Sequence, residues 1–403
     1  MKLTNFMLVA CVALLLSMHM HSSEGATDED VERLFEDKVK KGNSKIRPVK
    51  NQSERVEVEM SLFMVAILDV NEVQQSVEAT IWMKVFWKNE LLVWNPSDYG
   101  NLTLIYPPKE NMWKPDLAMS NGYDELTPVG LDFVLLKSCH DGQTVWTPGE
   151  KVHFLCKIDV SKFPFDTQTC FMEFFNWAGT KEETSLKYRD PEIESPYGQV
   201  AYPNSEWTLT ERRTEKDGQT EYEMIRVIVV LERKSLSLVL TVLLPVLLLA
   251  FLNVFVFLLP TESGEKLSFA VTVLLSQAVF LSFISGLMPQ TSDTISGLSI
   301  YISVQLVLSS LYVLITCCTL RIYHRDTNAC PFPRWFLKIL CLPVHSDSSV
   351  YPVKEKDGIL ETIADRVTGS QVSLRLDRIC FWFFFVVVIL MTSIFLMDGI
   401  YCK

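Results

Sequence analysis

The hydrophobic pattern of the chain changes near residue 235. Downstream of this point, four apolar segments are each long enough to cross about 30 Å of hydrocarbon as a helix. They cover residues 236–259, 267–288, 295–322 and 379–397. Basic side chains between positions 321 and 338 follow the third segment and predict that it ends in the cytosol. The pattern therefore predicts a protein with four membrane spans.

Upstream of the spans, polar and apolar residues alternate in stretches that are typical of half-buried β-strands. One stretch places Val56, Val58, Met60 and Leu62 on a common face, and Asn-Pro, Asn-Gly and Asp-Gly turn signals recur along the region. Residues 28–41 instead repeat their apolar positions at helical spacing, with acidic residues in the first turn. Residues 28–235 are therefore predicted to form a β-sandwich behind one short helix.

Both ends of the mature chain are predicted to lie outside the cell. An apolar run from Phe6 to Leu16 is too short to span a bilayer, which indicates a secretory signal peptide over residues 1–26. Residues 27–235 are then extracellular, and Asn51 and Asn101 begin sequons that are compatible with glycosylation there. Four crossings return the C-terminus to the same side of the membrane.

The membrane part is predicted to contain three helices within residues 236–323, a short cytoplasmic loop over residues 324–378, and a last helix within residues 379–403. The loop begins irregularly, with three prolines. Residues 359–376 have the periodicity of an amphipathic helix that leads into the fourth span.

The formal charge is placed unevenly along the chain. Residues 1–235 contain 37 acidic and 26 basic side chains, which accounts for the whole formal charge of −11. An acidic outer domain concentrates cations near a membrane opening, and it also serves as a solubilising surface. Both interpretations remain open on this pattern.

The sequence offers no support for catalysis. No two glycines lie two, four or five residues apart, so dinucleotide-binding, nucleophile-elbow and phosphate-binding loops are all excluded. The six histidines show no ligand spacing for a metal. We therefore expect no enzyme activity, no cofactor, no bound metal and no nucleic-acid partner.

A single motif points to a family. Cys156 and Cys170 bracket thirteen residues, with Phe163, Pro164, Phe165 and Asp166 at the tip of the loop. This motif resembles the signature loop of pentameric Cys-loop ligand-gated ion channels, and the chain is most similar to their nicotinic acetylcholine receptor branch. The resemblance implies a Cys156–Cys170 disulfide, an extracellular immunoglobulin-like sandwich of about ten strands, four transmembrane helices, and a homo- or heteropentamer. A disulfide-stapled hairpin in an unrelated sandwich is the alternative, and the four spans argue against it.

The second span carries a polar stripe at helical spacing. Its members are Glu265, Ser268, Thr272, Leu275, Val279, Ser282 and Gly286. A pore wall gains from hydroxyl groups, whereas a lipid-facing helix does not. In a pentamer, Glu265 and Glu262 would form a carboxylate ring that selects cations. Ser268 and Thr272 would replace hydration, and Leu275 and Val279 would form an apolar gate.

The resemblance also assigns residues that couple ligand binding to the pore. Glu72 and Arg233 match an ion pair of the family. The loop tip, residues 163–166, would sit on the connection after the second span, which contains Pro289. Relatives of the cation-passing branch often carry an acid where this chain has Gly286, so the sign of the selected charge is implied but the calcium preference is not.

The agonist site implied by the resemblance lies between subunits. Its predicted residues are Trp177, Tyr222, Trp82, Trp146 and Ser120, where aromatic faces would bind a small-molecule amine by cation–π attraction. Three further tryptophans, Trp87, Trp94 and Trp113, match core positions.

This predicted site departs from the nicotinic pattern in two ways. Ser120 stands where nicotinic receptors have a tyrosine, and residues 211–223 lack a vicinal cysteine pair. The alternatives are therefore a different agonist, a non-α accessory subunit, or a non-conducting ligand-binding membrane protein. The expected setting is the plasma membrane, including postsynaptic membranes, with monovalent cations in the pore and lipid around the helices. Cys139 is left as a free thiol or as one with an unexpected partner.

Overall fold

The computed structural model describes residues 25–124, 128–130, 134–190, 202–217, 223–290, 293–325, 333, 335, 340 and 367–401. It forms two units, and three segments make up the second one: Glu72–Gln74, Ile158–Thr167 and Arg233 onward. The first unit contains the rest of the described chain before Arg233. Tyr222, nearly all of the predicted signal peptide and most of the predicted cytoplasmic loop lie outside the described residues.

The first unit opens with a short helix, α1, at Asp28–Leu34, which continues as a π-helical turn over Phe35–Val39. Thr27 caps the helix, because its side chain accepts a hydrogen bond from the backbone N–H of Asp30. The Asp30 carboxylate accepts one from the backbone N–H of Thr27 in return. Leu34 and Val39 are buried, so the predicted N-terminal helix is confirmed.

The strands of the sandwich are β1 Val56–Asn71, β2 Ser76–Lys88, β3 Leu104–Ile105, β4 Leu117–Met119, β5 Leu136–Cys139, β6 Gln143–Trp146, β7 Gly149–Leu155, β8 Thr167–Asn176, β9 Thr184–Tyr188, β10 Trp207–Asp217 and β11 Met224–Arg233. One sheet has the order β3-β5-β6-β2-β1-β9, with β7 also paired to β2. The other has the order β10-β11-β8-β4. Among the described residues, the predicted sandwich of about ten strands is confirmed.

The alternation read from the sequence places the core. Val58, Met60 and Leu62 of β1 are buried, and their partners across the ladder, Trp87, Val85 and Met83, are buried as well. Successive side chains of a strand point to opposite faces, so each ladder contributes one apolar face to the interior. A disulfide joins Cys156, just after β7, to Cys170 in β8.

The second unit contains four helices that are long and apolar enough to cross a membrane. They are α2 Leu236–Leu258, α3 Lys266–Leu287, α4 Gly297–Tyr323 and α5 Gly369–Tyr401. Helix α2 contains a π-helical turn, Val239–Leu243, which ends two residues before Pro245. Proline lacks the N–H that a regular helix would use. The predicted four spans are confirmed.

The start of the fourth helix differs from the prediction. We expected an amphipathic helix over residues 359–376 that leads into a span beginning near Ile379, whereas the structure has one helix, α5, that begins at Gly369. Val367 and Thr368 are not helical. Two polar residues of its first turns, Ser373 and Asp377, are buried, and Ser373 donates to the carbonyl of Thr319 at 3.2 Å. The apolar pattern of the sequence did not include these turns in the span, because hydropathy counts polar side chains as polar whether or not a buried partner satisfies them.

Candidate functional site

Helix α3 has two chemically different faces. Lys266, Ala270, Val273, Gln277 and Ile284 are buried against the neighbouring helices. The members of the predicted polar stripe are all exposed in the subunit: Glu265, Ser268, Thr272, Leu275, Val279, Ser282 and Gly286. The two large apolar members of the stripe are not packed against the other helices of the subunit, since Leu275 is 64% and Val279 is 60% exposed. The bundle therefore packs against one face of α3 and leaves the striped face free.

Hydroxyl groups on α3 are held by the helix itself. Thr272 Oγ1 donates to the carbonyl of Ser268 at 2.8 Å, and Ser276 Oγ donates to the carbonyl of Thr272 at 2.9 Å. Each hydroxyl oxygen keeps its lone pairs free to accept from water or to meet a cation. Just before α3, Glu262 lies exposed in a short 3₁₀ turn, Thr261–Ser263. Gly264 then adopts a positive φ of 70°, which permits the tight entry into the helix.

A buried ion-pair cluster forms in the second unit around Arg233. Its guanidinium donates from Nε to Asp166 Oδ1 at 2.7 Å and from Nη2 to Asp166 Oδ2 at 3.1 Å. A third donor, Nη1, lies 2.7 Å from Glu72 Oε1. Burial by itself lowers the pKa of Arg233, but the hydrogen bonds and charges of Asp166 and Glu72 outweigh it and raise the pKa above its ordinary value. The predicted Glu72–Arg233 pair is present, and Asp166 is its third member.

The tip of the disulfide loop packs against the same guanidinium. The Phe163 ring lies under Arg233, whose Cζ is 5.1 Å from the ring centroid. The peptide bond between Phe163 and Pro164 is cis, and Phe165 is partly exposed. Pro289, expected beneath the tip, is buried at the end of α3.

One contact of the disulfide loop with the helices involves residues that the sequence analysis did not single out. The backbone N–H of Gly297, at the start of α4, donates to the Ser161 carbonyl at 3.1 Å. A Cβ on Gly297 would stand 3.4 Å from that carbonyl oxygen, which is an ordinary van der Waals distance. In the sequence, the only feature that marked this contact was a glycine near the start of the third predicted span.

Two predicted binding-site tryptophans are exposed in the first unit. Trp177 is 49% and Trp82 is 57% exposed, which is unusual for indole rings that would otherwise belong to a core. Trp177 follows β8, where its backbone N–H donates to the Asp116 carbonyl at 2.8 Å. Trp82 lies over Gly149 of β7, where a Cβ would approach its ring to 2.7 Å. Each indole therefore keeps an exposed surface that is available to a partner.

Trp146 has a different environment from the one expected. It is buried, with the Lys114 ammonium 4.7 Å from its ring centroid, and Gly130 packs closely against it. The structure therefore does not place Trp146 beside Trp82 at the surface. Trp87 and Trp94 are buried as expected, and Trp113 packs edge-on against Trp87.

Ser120 belongs to a charged network that the sequence did not reveal. Ser120 Oγ donates to Glu173 Oε2 at 2.6 Å, and Arg226 donates from Nη2 to Glu173 Oε1 at 2.7 Å. Arg226 also lies over the Phe171 ring, with its Cζ 4.8 Å from the centroid. Phe171 and Glu173 lie on β8, Arg226 lies on the neighbouring strand β11, and Ser120 directly follows the other neighbour, β4. A polar triad thus stands where the family resemblance expected an aromatic ring.

The remaining predicted positions are simple surface groups. Asn51 and Asn101 are exposed, and Asn101 adopts a positive φ of 62° after Gly100. Cys139 is partly exposed and forms no disulfide with a described cysteine. Among the residues that the structure describes, no group of histidine, cysteine, aspartate and glutamate side chains could hold a metal ion.

Comparisons with known proteins agree with this geometry. The family model "Neurotransmitter-gated ion-channel ligand binding domain" matches residues 31–235, and the model "Neurotransmitter-gated ion-channel transmembrane region" matches residues 242–346. Acetylcholine receptor subunit alpha-L1 of Schistocerca gregaria is 31% identical over 327 residues, which cover 78% of this chain. Acetylcholine receptor subunit alpha-like 2 of Drosophila melanogaster is 31% identical over 338 residues, or 80% of this chain. These alignments span 58% of the length of either relative.

A third relative is aligned over more of its own length. Acetylcholine receptor subunit alpha-type unc-63 of Caenorhabditis elegans is 29% identical over 357 residues, which cover 81% of this chain and 70% of that protein.

Proposed function

Since the chain belongs to the neurotransmitter-gated ion-channel family, we propose that it is a subunit of a pentameric, ligand-gated, cation-selective channel. It is a multi-pass membrane protein. A small molecule bound at extracellular subunit interfaces opens the pore. The whole assembly contains four further subunits, either copies of this chain or related chains.

The observation that carries this proposal is the two-faced α3 helix. One face is packed against the neighbouring helices of the subunit. The other face is exposed and carries Glu265, Ser268, Thr272 and Leu275. A polar stripe in contact with hydrocarbon would leave a carboxylate and hydroxyls without water, at a cost of several kcal/mol. Turning the same stripe toward a shared axis gives each group an aqueous or ionic partner.

The order of the side chains along the stripe determines where the pore selects ions and where it closes. Rings of Glu265, supported by Glu262, attract monovalent cations and repel anions. Ser268 and Thr272 substitute for part of the hydration shell of the ion. Leu275 and Val279 form an apolar constriction that closes by losing its water.

The agonist site is proposed to use the exposed indoles. Trp177 supplies one side of an interface and Trp82 of the neighbouring subunit supplies the other. Each indole face attracts a protonated or quaternary amine by about 0.5–2 kcal/mol. Tyr222 completes the site from the capping hairpin, and Trp146 supports it from beneath the surface.

Ser120 gives the site its particular character. Its bond to Glu173 fills the position of an aromatic ring with a hydrogen-bonded, charge-paired triad. We therefore propose an amine agonist other than acetylcholine, although the named relatives are acetylcholine receptor subunits. The same observation favours a second candidate function, a non-α subunit that gives only the complementary face of the site, through Trp82.

Coupling between binding and opening is assigned to the Arg233 cluster. Glu72 follows β1, Asp166 precedes β8, and Arg233 is the last residue of β11, three residues before α2. A change in strand position alters which of the two carboxylates Arg233 can hold. Two-state ion-pair rearrangements of this kind bias a conformational equilibrium.

The proposed setting is the plasma membrane, including postsynaptic sites. The signal peptide over residues 1–26 is removed, both termini are extracellular, and Asn51 and Asn101 are glycosylated. Lipid surrounds the outer faces of the helices.

Expression in oocytes tests this function. The full chain is expressed alone and together with an α-type relative, and small amines and other transmitters are screened by voltage clamp. We expect an agonist-evoked current whose reversal potential follows the sodium and potassium gradients. Current only on co-expression would select the accessory-subunit candidate. Surface protein that never carries current with any partner or ligand, even with Leu275→Thr present, would contradict the channel proposal.

A further inference from the structure

A buried ion pair joins the start of α3 to the fourth helix. Lys266 is fully buried and Asp377 of α5 is 3% exposed. The Lys266 ammonium Nζ lies 2.6 Å from Asp377 Oδ2. The residue before Lys266 is Glu265, which is exposed on the stripe. Two adjacent residues of opposite charge therefore point in opposite directions.

Such a pair is rare in a membrane bundle and calls for an explanation. Ionisable residues within membrane helices cost several kcal/mol unless they are paired, and they usually mark an ion pathway. A buried pair is also weak evidence for stability, since well-packed apolar residues often do as well. Stability alone therefore does not account for a charged pair here.

The pair has an electrostatic consequence for the neighbouring carboxylate. If both Glu265 and Lys266 faced the same water, the charge of Lys266 would cancel that of Glu265 and leave only Glu262 as a negative group at the start of α3. The position of Lys266, turned into the bundle and neutralised by Asp377, leaves Glu265 as the charge that the stripe presents there.

We propose that Asp377 is a positioning residue for ion selectivity: by holding Lys266 inside the bundle, it makes the ring at Glu265 negative. This inference rests on the proposed channel function. It assigns to the fourth helix, which contributes nothing to the stripe, a role in setting the charge of the permeation path. Without Asp377, the Lys266 ammonium turns toward the water that hydrates Glu265, because an unpaired buried charge is costly.

Lysine labelling tests the position of Lys266 without any current. The purified full-length assembly in detergent is treated with an acetylating ester, and the modified lysines are quantified by mass spectrometry. In the parent we expect Lys266 to be protected and the exposed Lys234 to be labelled. In Asp377→Asn we expect Lys266 to be labelled at a rate approaching that of Lys234. The matched control is Glu57→Gln, which removes the partner of the exposed Lys187 and should leave Lys266 protected. Equal protection of Lys266 in the parent and in Asp377→Asn would overturn the proposal.

Single-channel recording tests the effect on conduction. We expect Asp377→Asn to lower cation conductance at least about twofold, the factor that one unit charge at ~8 Å contributes in water. The double variant Lys266→Gln/Asp377→Asn leaves no unpaired charge and should restore the parental conductance. Low conductance in the double variant would overturn the proposal, because no lysine charge would then remain to oppose Glu265. The labelling of Lys266 separates this positioning role from a purely structural one.

Two further outcomes are distinguishable. If Asp377→Asn does not reach the cell surface, the double variant decides: parental surface level and conductance support the proposal, and failure to assemble overturns it. If no variant and no parent conducts, the channel function fails, and the labelling result alone decides whether Asp377 holds Lys266 in the bundle.

Discussion

The guanidinium of Arg233 binds both carboxylate oxygens of Asp166, with Nε–Oδ1 and Nη2–Oδ2 distances of 2.7 and 3.1 Å. This fork geometry is specific to arginine and stronger than a neutral hydrogen bond. The remaining terminal nitrogen is 2.7 Å from Glu72. One side chain thereby connects the segment after β1, the disulfide loop and the start of α2, all within the second unit.

Asp166→Asn is expected to destabilise the protein strongly. Asp166 is 2% exposed, so its neutralisation leaves Arg233 with one of its two carboxylates in a buried site. Breaking a buried pair costs about 3–5 kcal/mol. The measurement is the thermal inactivation temperature of the purified full chain, followed by size-exclusion chromatography. The exposed Glu57–Lys187 pair supplies the control: Glu57→Gln should change stability by no more than about 0.5 kcal/mol. Equal inactivation temperatures for Asp166→Asn and the control would contradict the assignment.

Much of this architecture could be predicted from pattern alone. The alternation at Val58 and Met60 and the four apolar runs identified the sandwich and the spans, because burial of one strand face or one whole helix leaves a strong hydropathy signal. The start of α5 could not be predicted, since Ser373 and Asp377 are polar residues whose partners, Thr319 and Lys266, are distant in sequence. Hydropathy does not register such pairing.

The candidate site was predictable to a similar degree. The spacing from Glu265 to Val279 identified one helix face without any tertiary information, and the exposure of that face agrees with it. The members of the Ser120–Glu173–Arg226 triad come from three separate segments of the chain. No local spacing in the sequence therefore predicts that they meet. The burial of Trp146 depends on Gly130 and Lys114, which approach it only in the folded chain.

Glu265→Lys is expected to abolish or reverse charge selectivity. The substitution replaces the exposed carboxylate at the start of α3 by an ammonium, so a ring of copies would attract anions. Reversal potentials in chloride- and sodium-substituted solutions are the measurement. Glu211→Lys, an identical change on the exposed surface of β10, should leave them at the parental value. Selectivity that is the same in both variants would remove Glu265 from the selectivity ring.

Leu275→Thr is expected to favour the open channel. Leu275 is 64% exposed in the subunit, and the proposed gate closes because apolar rings expel water. A hydroxyl at this position weakens the dewetted state, so we expect spontaneous current or a decrease of at least about tenfold in the half-maximal agonist concentration. Leu274→Thr makes the same change one residue away, at a partly buried position off the stripe. If Leu274→Thr had the larger effect, the gate assignment would be wrong.

Trp177→Ala is expected to weaken agonist action. Loss of one cation–π face costs about 0.5–2 kcal/mol, which corresponds to roughly a 2- to 30-fold rise in the half-maximal concentration of an amine agonist. Trp82→Ala should act in the same way if this chain also supplies the complementary face. Tyr106→Ala is the control, because Tyr106 is similarly exposed, at 54%, but lies outside the proposed site. An equal shift in Tyr106→Ala would show that exposed aromatic residues affect the response without binding the agonist.

Glu150→Gln is expected to stabilise the protein in a pH-dependent way. Glu150 is partly buried in β7, and burial raises the pKa of its carboxyl above the ordinary value of 4.5, although a 2.8 Å hydrogen bond from the Gly130 N–H opposes the shift. The folded chain therefore holds this proton more tightly than the unfolded chain, so stability declines as pH rises from 4.5 through the raised pKa.

A glutamine keeps an acceptor for Gly130 but has no charge to desolvate. We therefore expect Glu150→Gln to match the parent at about pH 4 and to exceed its inactivation temperature at about pH 7, with a constant difference at higher pH. Thermal inactivation of the purified full chain at a series of pH values is the measurement. Glu211→Gln, on the exposed surface, should follow the parent throughout. A stabilisation by Glu150→Gln that is the same at both pH values would show that packing, and not the ionisation of Glu150, is responsible.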